Sequence, residues 1–151
     1  MGERRIVDVF NIKSRFLRSV QLERDFQDSA ALSGYVRTDF VQECCERIGD
    51  GLRPKSGRRA WRVTGDYGSG KSSFALLVAN LLAGRDNRQA PQIVRAFDFK
   101  KLGVSRPVYL PVLVTCSRKP LATSILTALH SAIASVRLRI VFSEWNKGLV
   151  V

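Results

Sequence analysis

Gly65-Asp66-Tyr67-Gly68-Ser69-Gly70-Lys71-Ser72 decides how the rest of the chain is read, because it satisfies the pattern G-x-x-x-x-G-K-[ST]. Each residue type in it has a stereochemical reason. Gly65, Gly68 and Gly70 let the backbone take conformations that a side chain would block, so that successive N–H groups turn inward around phosphate oxygens. A helix beginning near Lys71 adds its unpaired first-turn amides and the positive end of its dipole. Lys71 can reach terminal phosphates as a mobile point charge, and the Ser72 hydroxyl can help hold a magnesium ion that bridges them. Ser69 and Ser73 flank this core and can donate to phosphates. Asp66 and Tyr67 complete the loop, with Tyr67 packing either on a nucleotide or partner or over the loop from outside.

The flanks suit such a turn. Residues 60–64, with Trp61, Val63 and Thr64, read as a short strand. Residues 73–83 are apolar nearly all round, as expected of a helix buried between a sheet and other elements, with Gly84 as its stop. Upstream, Thr38 caps a helix whose apolar positions Phe40, Val41, Cys44, Ile48 and Leu52 recur at helical spacing, and Gly49 and Gly51 weaken its end. Residues 28–35 read as a helical turn closed by Gly34, and residues 53–59 as a polar connector. Downstream, a helix is expected from Pro91 to Gly103. A strand follows over 106–116, with Pro111 placing it at an edge, bulging it, or making it shorter than the apolar run. A long amphipathic helix starts at Pro120 with Leu121, Ile125, Leu129, Ile133 and Val136 in register.

Bulk composition narrows the setting. The 151 residues are 45% hydrophobic, as in a globular domain, and carry 25 basic against 13 acidic side chains for a net charge of +12. That excess favours contact with something anionic, such as nucleotide phosphates, nucleic acid or an acidic protein surface, or else a solvated basic face. The basic cluster Arg53, Lys55, Arg58, Arg59 and Arg62 could track a nucleic-acid backbone beside Trp61, although a solvated connector with Trp61 packed in the core is the blander reading. Cys44, Cys45 and Cys116 fit neither a disulfide framework nor zinc spacing, which suits a reducing cytoplasm. No signal peptide is legible, and the apolar run from Phe74 to Leu82 is far short of the roughly 20 residues of a membrane span. His130, without a paired base, reads as structural.

The loop resembles that of the P-loop NTPase superfamily, and Gly65-Asp66-Tyr67-Gly68-Ser69-Gly70-Lys71-Ser72-Ser73-Phe74 looks like the loop of AAA-type and related ATPases, in particular of large bacterial ATP-binding proteins, some encoded in phage-defence clusters. The resemblance spans Phe16 to Ile133 and is specific only in the loop. It implies an α/β fold: a three-layer P-loop core on a parallel sheet over 60–151, preceded by a helical, basic segment over 1–59. It also implies ATP and Mg2+ as ligands. Catalytic members need an acid at the end of a second apolar strand. Here Asp98 and Glu144 read better as helix residues, and two strands stand where about five are usual. The core is therefore expected to be incomplete, a front part whose catalytic acid and arginine finger lie beyond Val151 or on a partner, with self-association open. Two readings stay beside it: a basic nucleic-acid- or partner-binding module with a non-hydrolysing loop, and, less well supported, a small-molecule kinase.

Overall fold

The computed structural model describes residues 19–83, 91–97, 109–115 and 118–147, the last stretch as backbone alone from 137 onward. Its elements are four α-helices, α1 (Leu22–Asp25), α2 (Asp39–Leu52), α3 (Lys71–Leu82) and α4 (Leu121–Lys147), with a 3-10 helix at Gln92–Ala96 between the last two.

Local chemistry explains where these helices start and stop. Thr38 caps α2, its hydroxyl accepting the Val41 amide at 3.2 Å and so satisfying one of the donors that a first turn leaves open. On the outer face of α2, Gln42 donates to Glu46 and Arg47 pairs with Glu43, each one helical turn apart. At its end the Arg53 amide bonds to the Asp50 carbonyl, and the Arg53 guanidinium meets the Asp50 carboxylate at 3.1 Å. In the single turn of α1, Asp25 is buried but satisfied: its carboxylate accepts the Gln21 amide at 3.0 Å and the Arg24 Nε at 2.7 Å.

The core forms around α3. Leu76 and Leu77 are fully enclosed, and with Leu81 they meet Leu32, Cys45, Val94 and Phe97, while Val20, Phe26, Tyr35, Val41 and Ile93 pack around that cluster. Asn80 is the polar exception on this helix; its Nδ2 donates to the Leu76 carbonyl at 2.9 Å, and its Oδ1 finds no donor among the described residues. Arg37 fixes the 3-10 helix by donating to the Ala96 carbonyl at 2.7 Å with its guanidinium over the Phe97 ring. Burial, then the neighbouring Cys44 and Glu46, push the Cys45 thiol up to about 12, so it sits in the core as a neutral apolar group.

The expected three-layer α/β core on a parallel sheet is not what the described residues form: they are helical and contain no strand. Residues 60–64 and 109–115, both expected as strand, make no ladder. Their β-branched and aromatic side chains suit a pleated surface, but strand propensity acts through cross-strand neighbours, and residues 57–70 are exposed throughout. Segment 109–115 is instead tied to helices. The Tyr109 amide bonds to the Leu82 carbonyl at 3.0 Å, and the Thr115 amide and hydroxyl both donate to the Glu23 carboxylate. Of the helix expected from Pro91 to Gly103, the 3-10 turn is the described part, and Asp98 lies outside the described residues.

The register expected for α4 is present, but it faces the other way. Half-buried positions on α4 are Ser124, Ala128, Ala132 and Ala134, whereas Leu121, Ile125, Leu126, Leu129 and Ile133 are exposed, Leu126 at 65%. Ser124, Ala128 and Ala132, together with Val136 from the expected register, line a groove of about 920 Å³ shared with Leu110, Leu113 and Phe26. No helix among the described residues is long and apolar enough to cross a membrane.

Two outcomes test this packing. Leu77→Ala should cost about 2–5 kcal/mol in urea unfolding, the usual penalty for emptying a sealed core site, whereas Leu126→Gln should stay within about 0.5 kcal/mol. Partial burial of Glu23 works to raise its pKa, but hydrogen bonds from its own amide and from the Thr115 hydroxyl and amide outweigh it, and the carboxyl lies below its ordinary 4.5. A lowered folded pKa means stabilisation complete above pH 4.5 and lost as pH falls through the folded value. The difference in urea midpoint between the native protein and Thr115→Val should accordingly be larger at pH 7 than at about pH 3.

Candidate functional site

The approach to the glycine-rich loop is set by the end of α2. Gly51 is buried in its last turn, and a Cβ there would collide with the Arg58 carbonyl oxygen and stand 3.2 Å from Cζ2 and Nε1 of Trp61. Only glycine lets residues 58–61 lie so closely across the helix. Ser56 adds a hydrogen bond from its hydroxyl to the Gly51 carbonyl, and the connector turns through two left-handed residues, Lys55 at φ 68° and Gly57 at φ 67°. Trp61, expected in the core on the blander reading, is braced against Gly51 on one edge and remains 45% exposed.

The loop then closes on itself. Asp66 accepts the Ser69 amide at 3.3 Å, and Gly68 and Gly70 take φ of 81° and 82°, the left-handed region closed to most side chains. Neither glycine has any atom within 4 Å of where a Cβ would stand, so backbone conformation and not crowding demands them. Gly65 differs: a Cβ there would come within 2.9 Å of the Ser69 hydroxyl. From Gly70 the chain passes directly into α3, and the first amide to join the helical ladder is that of Phe74, bonded to the Gly70 carbonyl at 2.9 Å. No side chain caps Gly70. The amides ahead of Phe74 thus have no place in the ladder, which leaves donors and the positive helix end directed at the loop.

Lys71 occupies that space with its own cation. Its Nζ donates to the Gly65 carbonyl at 2.9 Å, to the Asp66 carbonyl at 2.6 Å and, more weakly, to the Ser69 hydroxyl at 3.4 Å. A lysine six residues along the chain therefore bends back over the loop and spans it. Asp66, Ser69 and Ser72 are exposed, Ser73 is half-buried, and Tyr67 stands wholly in solvent. The nine residues singled out by pattern, Gly65 through Ser73, are brought together in one turn and its helix.

Other candidates lie elsewhere. His130 is exposed on α4, and Glu144 falls within the backbone of the same helix. The groove beside α4 is not lined by loop residues. Among the described residues no group of three or more His, Cys, Asp or Glu side chains gathers to hold a metal ion. Sequence reasoning missed the contact between Gly51 and Trp61; the signal was a glycine in the last turn of a predicted helix, read there only as a weak end. In comparison with known proteins, no protein-family model, curated protein or solved structure matches the chain.

Since Gly70 is needed for its φ, Gly70→Ala should destabilise the loop and the start of α3 by about 1–2 kcal/mol, and Gly70→Asn by less, because asparagine tolerates the left-handed region. Amide exchange at Lys71 to Phe74, faster in the alanine variant, checks this.

Proposed function

We propose that residues Gly65 to Ser73 bind the polyphosphate of a nucleoside triphosphate, ATP in the first instance, together with Mg2+. The observation that carries this reading is the pair of left-handed glycines leading into an uncapped helix start, with a lysine ammonium already seated on the loop's carbonyls. Open space around Gly68 and Gly70 fits a backbone that an anion approaches closely. The reading needs the loop and α3 alone and does not rest on a sheet.

Binding exchanges one set of contacts for another. The Lys71 ammonium leaves two neutral carbonyl partners for charged phosphate oxygens, a stronger charge-assisted contact. Amides ahead of Phe74 would gain the acceptors they lack, and the Ser72 hydroxyl would help hold Mg2+, which neutralises phosphate charge. Asp66 and Tyr67 border the site from the solvent side. Hydrolysis would further need a carboxylate to orient the metal and a base to activate water. The loop's own residues do not fill those roles, so binding is the function proposed, and turnover coupled to conformational change belongs to an assembly that supplies them. The resemblance to AAA-type ATPases, and to those of phage-defence clusters, is consistent with this role. Free Cys44 and Cys45 suit a reducing, cytoplasmic compartment.

Calorimetry with Mg2+-ATP tests the reading. Lys71→Ala should weaken binding at least about tenfold, the value of one hydrogen bond to a charged group, and Ser72→Ala should lower the dependence on Mg2+. Equal affinity in native protein and Lys71→Ala would overturn it.

A further inference from the structure

The charge excess is not spread evenly over the described surface. On α2, Arg47 is paired with Glu43 and Arg53 with Asp50. Just beyond, Lys55, Arg58, Arg59 and Arg62 are all exposed and have no ion-pair partner among the described residues; Asp50 before them is paired with Arg53, and the next acid after them is Asp66, itself exposed in the loop. Between these cations stands Trp61, its indole edge held against the backbone of Gly51 and nearly half of its surface open. An aromatic ring held at one edge and nearly half exposed, with guanidinium groups on both sides along the chain, offers an unpaired base a surface to stack on while its phosphates are neutralised.

We infer that Arg58-Arg59-Ala60-Trp61-Arg62 binds single-stranded nucleic acid: Trp61 stacks on a base, and Arg58, Arg59 and Arg62 contact the backbone phosphates on either side. A duplex fits less well. Its bases are already stacked, and residues 58–62 form neither a helix nor a ribbon able to enter a major groove. An acidic protein would satisfy the guanidinium groups but would leave the half-open indole without a role. This site is separate from the nucleotide reading of Gly65 to Ser73 and stands whether or not that loop binds ATP.

Fluorescence anisotropy of the full chain with labelled oligo(dT) of about 15 nucleotides tests the inference. Affinity should fall with salt at a log–log slope of about −2 to −3, as three or four phosphate contacts on a single strand require. The triple variant Arg58→Gln, Arg59→Gln, Arg62→Gln, altered only at exposed positions, should reduce that slope by about 2. Trp61→Ala should weaken binding about tenfold while Trp61→Phe keeps most of it. Because Trp61→Ala also removes a contact to α2, a second readout is needed: in a Trp145→Phe background, Trp61 emission should be quenched on adding oligo(dT). Lys71→Ala should leave oligonucleotide affinity unchanged, which separates failure of this site from failure of the loop. Absence of binding at about 50 mM salt, equal or tighter binding of a duplex or of polyglutamate, an unaltered slope in the triple variant, or unquenched Trp61 emission would each overturn the proposal.

Discussion

A helix that is apolar on every side has to be enclosed on every side, and α3 imposes that demand on the rest of the molecule. Leu76, Leu77 and Leu81 cannot all be covered by one neighbour, so α1, the turn through Leu32, α2 at Cys45 and the 3-10 helix at Val94 and Phe97 converge on it from different directions. The arrangement has a consequence at the helix end. Packed along its length, α3 holds its N-terminus at a set position at the surface, and the chain that leads into that end has to turn sharply through Gly68 and Gly70.

Geometry at that end couples packing to chemistry. Amides ahead of Phe74 lie outside the helical ladder, no side chain caps them, and the Lys71 ammonium lies on the carbonyls of Gly65 and Asp66. Cation and amide donors are therefore held together by the fold itself, so the polyphosphate proposed for the loop would not have to order them from an open chain. What must move is one flexible side chain. A buried helix supplies the rigidity, and a half-buried lysine supplies the reach.

Electrostatics and apolar exposure divide the described surface into two unlike regions. Residues 55–62 concentrate cations without an ion-pair partner among the described residues around an indole held against Gly51, next along the chain to the glycine-rich loop. The two anionic ligands proposed above would meet neighbouring parts of one segment, each attracted by the same field. At α4 the situation is reversed: hydroxyl and alanine side chains turn toward the groove, while leucine and isoleucine face water. A continuous apolar stripe of this kind is costly in isolation and favours association.

Much of the site could be read without coordinates. The loop pattern, the Thr38 cap, the all-round apolar character of α3 and the periodicity of α4 are written by residues within one or two turns of each other, and local stereochemistry decides them. Tertiary structure alone decided whether 60–64 and 109–115 pair as strands, which face of α4 turns inward, and whether Trp61 enters the core. Those outcomes depend on partners far along the chain: a strand needs a second strand beside it, a stripe needs a facing surface, and Trp61 lies where it does because Gly51, ten residues earlier, has no side chain to keep it away. Thr115 finds Glu23 for the same reason, across a separation that no local pattern encodes.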